Sequence, residues 1–274
     1  MKPKIYEKID TQMHTISRSF EELEMLRHCG VTHIISTIYI PIKLTQAGTF
    51  ADLIQWMLDY EIKRGKRVGL NIHPAIGIHP MMAPSDPKIL ELAIRSIEEA
   101  LQSKKIIAIG ETGLDKGTQE EFISFKRHLE IAKSNNLPVI IHTPEENKAE
   151  ITNIIMRELK KNKIEEAVID HCDLTNVKIV LQDPRDEIKI GLSVGKRNLN
   201  ISDAIKIYKT YSYENRYVLN SNAGSDKSDY LSMVKAVEAF EESGLNYKIV
   251  QKIASENALS IFRGILSQSD NLLI

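Results

Sequence analysis

Cysteine is scarce. Two in 274 residues cannot build a disulfide framework and suit a reducing compartment. Long apolar runs are missing: none approaches the roughly 18 residues that a membrane helix needs. Met1–Asp10 is short and charged, without the apolar core of a signal peptide. Neither sign of charge dominates, since 36 Lys and Arg face 37 Asp and Glu. A global basic field for gripping nucleic acid is therefore absent, while a local basic groove stays open. No Pro-, Ser- or Gly-rich linker divides the chain, and no low-complexity tract appears. A Gly-rich phosphate loop is lacking too. Gly110-Glu-Thr-Gly113 and Gly191-Leu-Ser-Val-Gly195 match neither dinucleotide nor P-loop spacing. Together these absences predict a soluble, cytoplasmic, single-domain protein with no membrane partner.

What is present is a 42% hydrophobic, 27% charged chain with a repeating pattern. Short Ile- and Val-rich runs fall at Lys4–Asp10, Thr32–Ile40, Arg67–His79, Lys105–Glu111, Leu137–His142, Glu166–His171, Glu187–Val194 and Arg216–Asn222. Most are continuous rather than alternating, as in strands covered on both faces. The spacing leaves room for a helix after nearly every run, so the strands are expected to be parallel. Helix starts are marked by the capping-box patterns Ser19-Phe-Glu-Glu22 and Thr118-Gln-Glu-Glu121 and by Asp86-Pro87. Further amphipathic stretches are Phe50–Arg64, Pro144–Lys161, Leu174–Gln182, Ser202–Tyr211, Ser225–Ser243 and Tyr247–Phe262. The pattern predicts an α/β fold, a single (β/α)8 TIM barrel over residues 1–266, with 267–274 as a C-terminal tail. An open doubly wound sheet is the runner-up, without a phosphate loop to support it.

In such a barrel, polar residues at C-terminal strand ends are the first place to look for chemistry. Here those ends carry Asp10-Thr-Gln12-Met-His14, His79-Pro80, Gly110-Glu111-Thr-Gly-Leu-Asp115, His142, Asp170-His171 and Asn220-Ser-Asn222. Glu111, His142 and His171 each close an apolar run. Converging on the barrel axis, two imidazoles and a carboxylate would hold a divalent cation, zinc first, with manganese, magnesium or nickel as alternatives. Ser193-Val-Gly195-Lys196-Arg197 closes the seventh run with two cations that would meet a phosphate, although a solvated loop is the plainer reading. Cys172 reads as a small buried hydrophobe, and Trp56 as packing. Asp10 is placed to orient a ligand. His73 flanks the third run, and His28, His33 and His128 receive no role.

The ordered motifs Asp-x-x-x-His, Ile-Gly-Ile-His-Pro, Ala-Ile-Gly-Glu-Thr-Gly-Leu-Asp, Leu-Pro-Val-Ile-Ile-His and a later His resemble the TatD-like metal-dependent hydrolases, TIM-barrel members of the amidohydrolase superfamily. The likeness runs almost the whole chain, to Ala254–Phe262. It implies a bridging role for Glu111, with His142 and His171 completing one metal's ligands. His14 matches the second member of the family's strand-1 His-x-His pair, on the other metal. Two positions depart from the family: Gln12 stands where it has His, and Asn222 where it has Asp. Both fall on the same metal, which implies one firm site and one weak or empty site.

An amide at Asn222 lacks the basicity of the family's catalytic Asp, so another acceptor would be needed. Asp115, Asp173 and Asp226 are candidates, although the last two also suit helix caps. His79, Lys196 and Arg197 are candidate substrate contacts. The resemblance implies metal-activated water attacking a phosphodiester, of nucleic acid or a small molecule, or another ester, in a monomer. The alternative is an impaired barrel that only binds a ligand or partner through the old cleft.

Overall fold

The computed structural model describes residues 7–196 and 198–265. Arg197 and the tail at 267–274 lie outside the described residues. Eight strands pair in sequence order, each parallel to the next. They are β1 Lys8–Met13, β2 Val31–Thr37, β3 Asn71–Ile76, β4 Ala108–Gly113, β5 Val139–His142, β6 Ala167–Ile169, β7 Ile188–Ser193 and β8 Tyr217–Asn220. Above the end of β8 the chain returns to β1. Asn222 N donates to Gln12 O (3.1 Å) and His14 N to Ala223 O (2.9 Å), while Thr11 Oγ1 donates to Leu219 O (3.1 Å). These bonds draw the (β/α)8 barrel together at the mouth where Gln12, His14 and Asn222 emerge.

Both faces of the strands are buried, which explains the continuous apolar runs. On β5, β6 and β8, Val139, Ile141, Ala167, Ile169, Tyr217 and Leu219 join the outer core under the helices. The alternate residues Ile140, Val168 and Val218 meet Ile9, Ile35 and Ala75 in a second cluster inside the barrel, closed off by Ala258, Ile261 and Phe262 near the C-terminus. With side chains alternating every residue, two positions beyond Ile140, Val168 and Val218 come His142, Asp170 and Asn220, facing inward. The barrel interior therefore changes from apolar to polar as the strands reach their C-terminal ends.

The helices follow the predicted order, with local differences. They comprise α1 Phe20–His28, α2 Ala47–Trp56, α3 Ile62–Val68, α4 Pro87–Ala100, α5 Gln119–Asn135, α6 Lys148–Asn162, α7 Val177–Val180, α8 Ile201–Thr210, α9 Ser232–Glu242, α10 Tyr247–Gln251 and α11 Asn257–Ile261. The Ser19 capping box forms in full, and Asp86 caps α4 ahead of Pro87. At Thr118 only half a box forms: its hydroxyl accepts from Glu121 N, while the Glu121 carboxylate turns back to the loop at 115–117. The stretch 174–182 forms only the short α7, because Asp173 and Asn176 hold its first residues in a turn. Wide π turns at Met57–Glu61 and Lys252–Glu256 join α2 to α3 and α10 to α11. Trp56 is half exposed rather than packed inside. Its indole N–H donates to Glu61 across the first π turn (2.9 Å).

Candidate metal centre

Glu111 is the hub of the polar mouth. It is 1% exposed, and four imidazoles face its carboxylate. His142 Nδ1 lies 3.1 Å and His171 Nε2 3.2 Å from Oε1, with His79 Nε2 at 3.6 Å. His14 Nε2 faces Oε2 at 3.8 Å, an oxygen that is buried without a hydrogen-bond partner. Half of the chain's eight histidines thus meet on one side chain. Burial would push the Glu111 carboxyl up, but the surrounding His79, His142 and His171 hold it well below the usual carboxylate range.

The partners of each ring decide what each imidazole can offer. His14 Nδ1 meets both the carbonyl (3.2 Å) and the hydroxyl (3.0 Å) of Thr37, and its Nε2 points at Glu111. His171 Nδ1 bonds Ser193 Oγ (2.8 Å), a hydroxyl that can donate or accept, and its Nε2 meets Glu111. On His142, Nε2 lies 3.5 Å from Asp115 Oδ1 and Nδ1 turns to Glu111. His79 differs. Its Nδ1 accepts from Met81 N–H (3.1 Å), so the neutral ring carries its proton on Nε2 and presents a donor, not a lone pair. His79, Glu111 and His142 come within 4.8 Å of one another as a group with metal-ligating atoms. His142 faces a carboxylate at each nitrogen, so its ring would take a cation only on giving up a proton, whereas His79 suits an anionic or carbonyl oxygen.

Electrostatics single out a different ring. Burial lowers His79 to about 3 and His171 to about 4, and keeps His14 below its usual value, despite the attraction of Glu111. His142 is the exception. Burial opposes its charge, but bonds to Asp115 and Glu111 push it up to about 9.

Of the two positions that depart from the expected pattern, Gln12 is buried in the mouth and Asn222 is partly exposed there. Gln12 is 0% exposed, and both of its amide atoms lack a hydrogen-bond partner. The Asn222 side chain bonds His14 and donates to Asn198 Oδ1 (3.3 Å). Asp10 accepts from Gln12 N (3.2 Å) and Ser221 N (3.1 Å), so it ties together the two segments that carry these amides. Gly224 leaves room beside the same ring, since a Cβ there would stand 2.9 Å from His14 Cδ2.

Among the substrate candidates, His79 and Lys196 line the hollow over Glu111. Asp173 is engaged by Lys148 (2.9 Å) and by Thr175 N. Asp226 also lines that hollow. Cys172 is buried in the core, its thiol donating to Ile169 O.

Sequence reasoning passed over three residues. Tyr39, just beyond β2, packs its ring against His79 and His14, with centroids 4.6 and 5.3 Å apart. Glu121 accepts from the backbone of Asp115, Lys116 and Gly117 and so fixes the loop that aims Asp115 at His142. His128, given no role above, is fully buried on α5. Its Nδ1 donates to Ser124 O (2.7 Å), and its Nε2 accepts from Ile78 N–H (2.9 Å). That bond clamps the backbone next to His79. The capping-box spacing at Thr118 was the one trace of Glu121; a helical His facing inward left no signal.

A parallel (β/α)8 barrel with a buried carboxylate and imidazoles at its C-terminal mouth is the architecture of a metal-dependent hydrolase. The sequence model of the TatD-related DNase family matches residues 9–263, and the chain belongs to that family. It is 31% identical over 258 residues to an uncharacterized metal-dependent hydrolase of Methanocaldococcus jannaschii, covering 93% of this chain and 99% of that one. The crystal structure of a TatD-like protein from Archaeoglobus fulgidus is also 31% identical, with a TM-score of 0.76 over 93% of this chain and 99% of that chain. A TatD homolog from Escherichia coli K12, 18% identical, shares the fold at a TM-score of 0.65 over 95% and 99% of the two chains. No helix among the described residues is long and apolar enough to cross a membrane.

Proposed function

We propose that the chain hydrolyses an ester at one firmly held divalent cation, zinc first, on Glu111, His142 and His171. A second position at His14, Gln12 and Asn222 is weak or empty. The observation that carries this is the buried Glu111 carboxylate, on which the inner nitrogens of His142, His171 and His14 converge. The donor set fits the group: imidazole and carboxylate suit zinc, manganese or nickel. When bound, such a cation acidifies water and polarises an ester oxygen.

The chain's own residues do the rest. Asp115 and Ser193 hold His142 and His171 by their outer nitrogens, which fixes ring orientation. His79 presents Nε2–H to a developing oxyanion, and the bond from Ile78 N–H to His128 keeps the backbone beside it in place. Asn222 cannot take a proton, so Asp115, half-buried beside His142, is the acceptor nearest in chemistry to the family's missing Asp. Its carboxyl is held low by the His142 bond, so it stays ionised at neutral pH. Phosphodiesters, nucleic acid among them, come first on the family's description, with other esters beside them. Two free cysteines support a reducing cytoplasm. The reading of a barrel that only binds gains no support from an intact set of imidazoles around Glu111.

The test is metal content per chain after loading with zinc or manganese, with the Glu111→Ala, His142→Ala double variant as control. One metal per chain that vanishes in the variant, together with ester turnover that vanishes with it, supports the proposal. No metal under either loading overturns it.

A further inference from the structure

The loop that follows β2 is fastened to the loop that follows β3. Ile38 is buried, Ile40 N–H donates to Met82 Sδ (3.4 Å), and Leu44 N–H donates to Met82 O (3.0 Å). Tyr39 is held among these anchors, its ring packed against His79 and His14. It lines the hollow of about 200 Å³ over Glu111. Both rings that it touches face the Glu111 carboxylate. The phenol therefore stands at the edge of the candidate metal centre, outside the set of candidate ligands.

The two halves of this side chain have different accounts. Packing explains the ring, which two imidazoles hold in place. It does not explain the oxygen, because a phenylalanine there would pack as well. Among the described residues the hydroxyl has one hydrogen-bond partner, Met81 Sδ at 3.7 Å, and a thioether is a weak acceptor. Tyr39 is only partly exposed. An O–H donor kept in such a place, without a strong partner, suits an acceptor that arrives from outside.

The neighbouring donors say what kind of acceptor fits. His79 takes Met81 N–H on Nδ1 and presents Nε2–H. Tyr39 adds its O–H from the loop after β2. Lys196 lines the same hollow from the loop after β7, the strand that stands across the barrel from β3 in sheet order. Donors on two sides suit a group with more than one acceptor oxygen. A carboxylic ester offers one carbonyl oxygen, whereas a phosphodiester offers two non-bridging oxygens that carry negative charge throughout.

We infer that Tyr39 is a substrate-binding residue, its hydroxyl donating to a non-bridging oxygen of a phosphodiester beside the His79 Nε2–H, a role that rests on the hydrolase reading for its chemistry. The packed ring fixes the donor before substrate arrives, so little freedom is lost on binding. Only a thioether contact is given up in exchange.

The experiment uses the full chain loaded with zinc, native and as Tyr39→Phe, which keeps the ring and removes the oxygen. Turnover of bis(p-nitrophenyl) phosphate gives kcat/KM. Calorimetric titration with inorganic phosphate gives an affinity that needs no turnover, and elemental analysis gives zinc per chain. Tyr39→Phe is expected to lower kcat/KM by about 10- to 100-fold, the range for a lost hydrogen bond to a charged group. Phosphate binding should weaken by about tenfold, with zinc per chain unchanged. Equal phosphate affinity in the two chains, or none in the native one, overturns the inference. Loss of zinc alongside phosphate affinity overturns it too, since the hydroxyl would then serve the centre rather than the substrate. If neither chain turns over the diester, the hydrolase reading fails, while the two phosphate affinities still decide whether the hydroxyl meets a phosphoryl oxygen.

Discussion

Two histidine groups occupy the same barrel interior from opposite ends, and they behave differently. At the N-terminal mouth, two positions before the interior residues Ile35 and Ala75, His33 and His73 stack with ring centroids 5.1 Å apart. His33 Nδ1 meets His73 Nε2 at 2.9 Å, and the outer His33 nitrogen faces Glu7 at 3.6 Å. Each nitrogen of the contact serves the other, one as donor and one as acceptor. Beyond the apolar layer of Ile9, Ile35, Ala75, Ile140, Val168 and Val218, the other group gathers on Glu111. There the outer nitrogens are held by Thr37, Ser193 and Asp115, and the inner ones converge on a carboxylate that retains an unpartnered oxygen. Numbers of histidines do not mark a site. Convergence on a shared acid, with each ring held from behind, does.

That contrast can be broken or sharpened by substitution. Glu111→Gln should cost the largest amount, about 10³-fold in activity together with the bound metal; metal analysis and turnover check it, and retention of both would erase the distinction between the two mouths. The next effect is on stability against acid. His128 is fully buried and lowered to about 4 by burial, below the ordinary 6.5 it regains on unfolding. The unfolded chain therefore binds the extra proton first, and stability falls as pH drops from about 6.5 to about 4. The full loss is about 3 kcal/mol from this group. Urea midpoints across that range should show the slope in the native chain and a shallower one in His128→Leu, whose ring cannot titrate.

Asp115→Asn should weaken zinc affinity by about 10- to 100-fold while leaving the fold intact, as expected for loss of a carboxylate behind a ligating imidazole; competition with a chromophoric chelator measures it. His73→Ala is the smallest perturbation. It should cost about 1–3 kcal/mol of stability through the unpartnered His33 and leave metal content unchanged. A fall in metal content there would join the two groups into one system.

How much of this was legible in the sequence follows from where each residue sits. Glu111, His142 and His171 end apolar runs, so their position at the mouth could be read from the run itself. The end of β1 is displaced: the run at Lys4–Asp10 continues as strand to Met13, because Gln12 is buried despite its polarity. The third run was read too long. Arg67 and Val68 close α3, and Gly69 in the left-handed region (φ 77°) stops that helix before β3 begins. The motif marks His79 as a residue of the mouth, but its tautomer, set by Met81 N–H, depends on the folded loop and is not legible in the sequence. Tyr39, Glu121 and His128 were not legible. Their parts depend on which loop passes behind which strand, and that is a property of the closed barrel rather than of any local pattern.

His171 and Asn222 share a further trait: both hold left-handed backbone, at φ 60° and 45°. For His171 this turns the side chain that follows inward-facing Asp170 back toward Glu111. For Asn222 it has a consequence in evolutionary time. Asn and Asp are the residues, after glycine, that tolerate this conformation best, so exchanging one for the other leaves the loop undisturbed while adding or removing a carboxylate beside His14. The backbone at 222 thus acts as a socket that takes either side chain, so the charge beside His14 can be set without altering the loop.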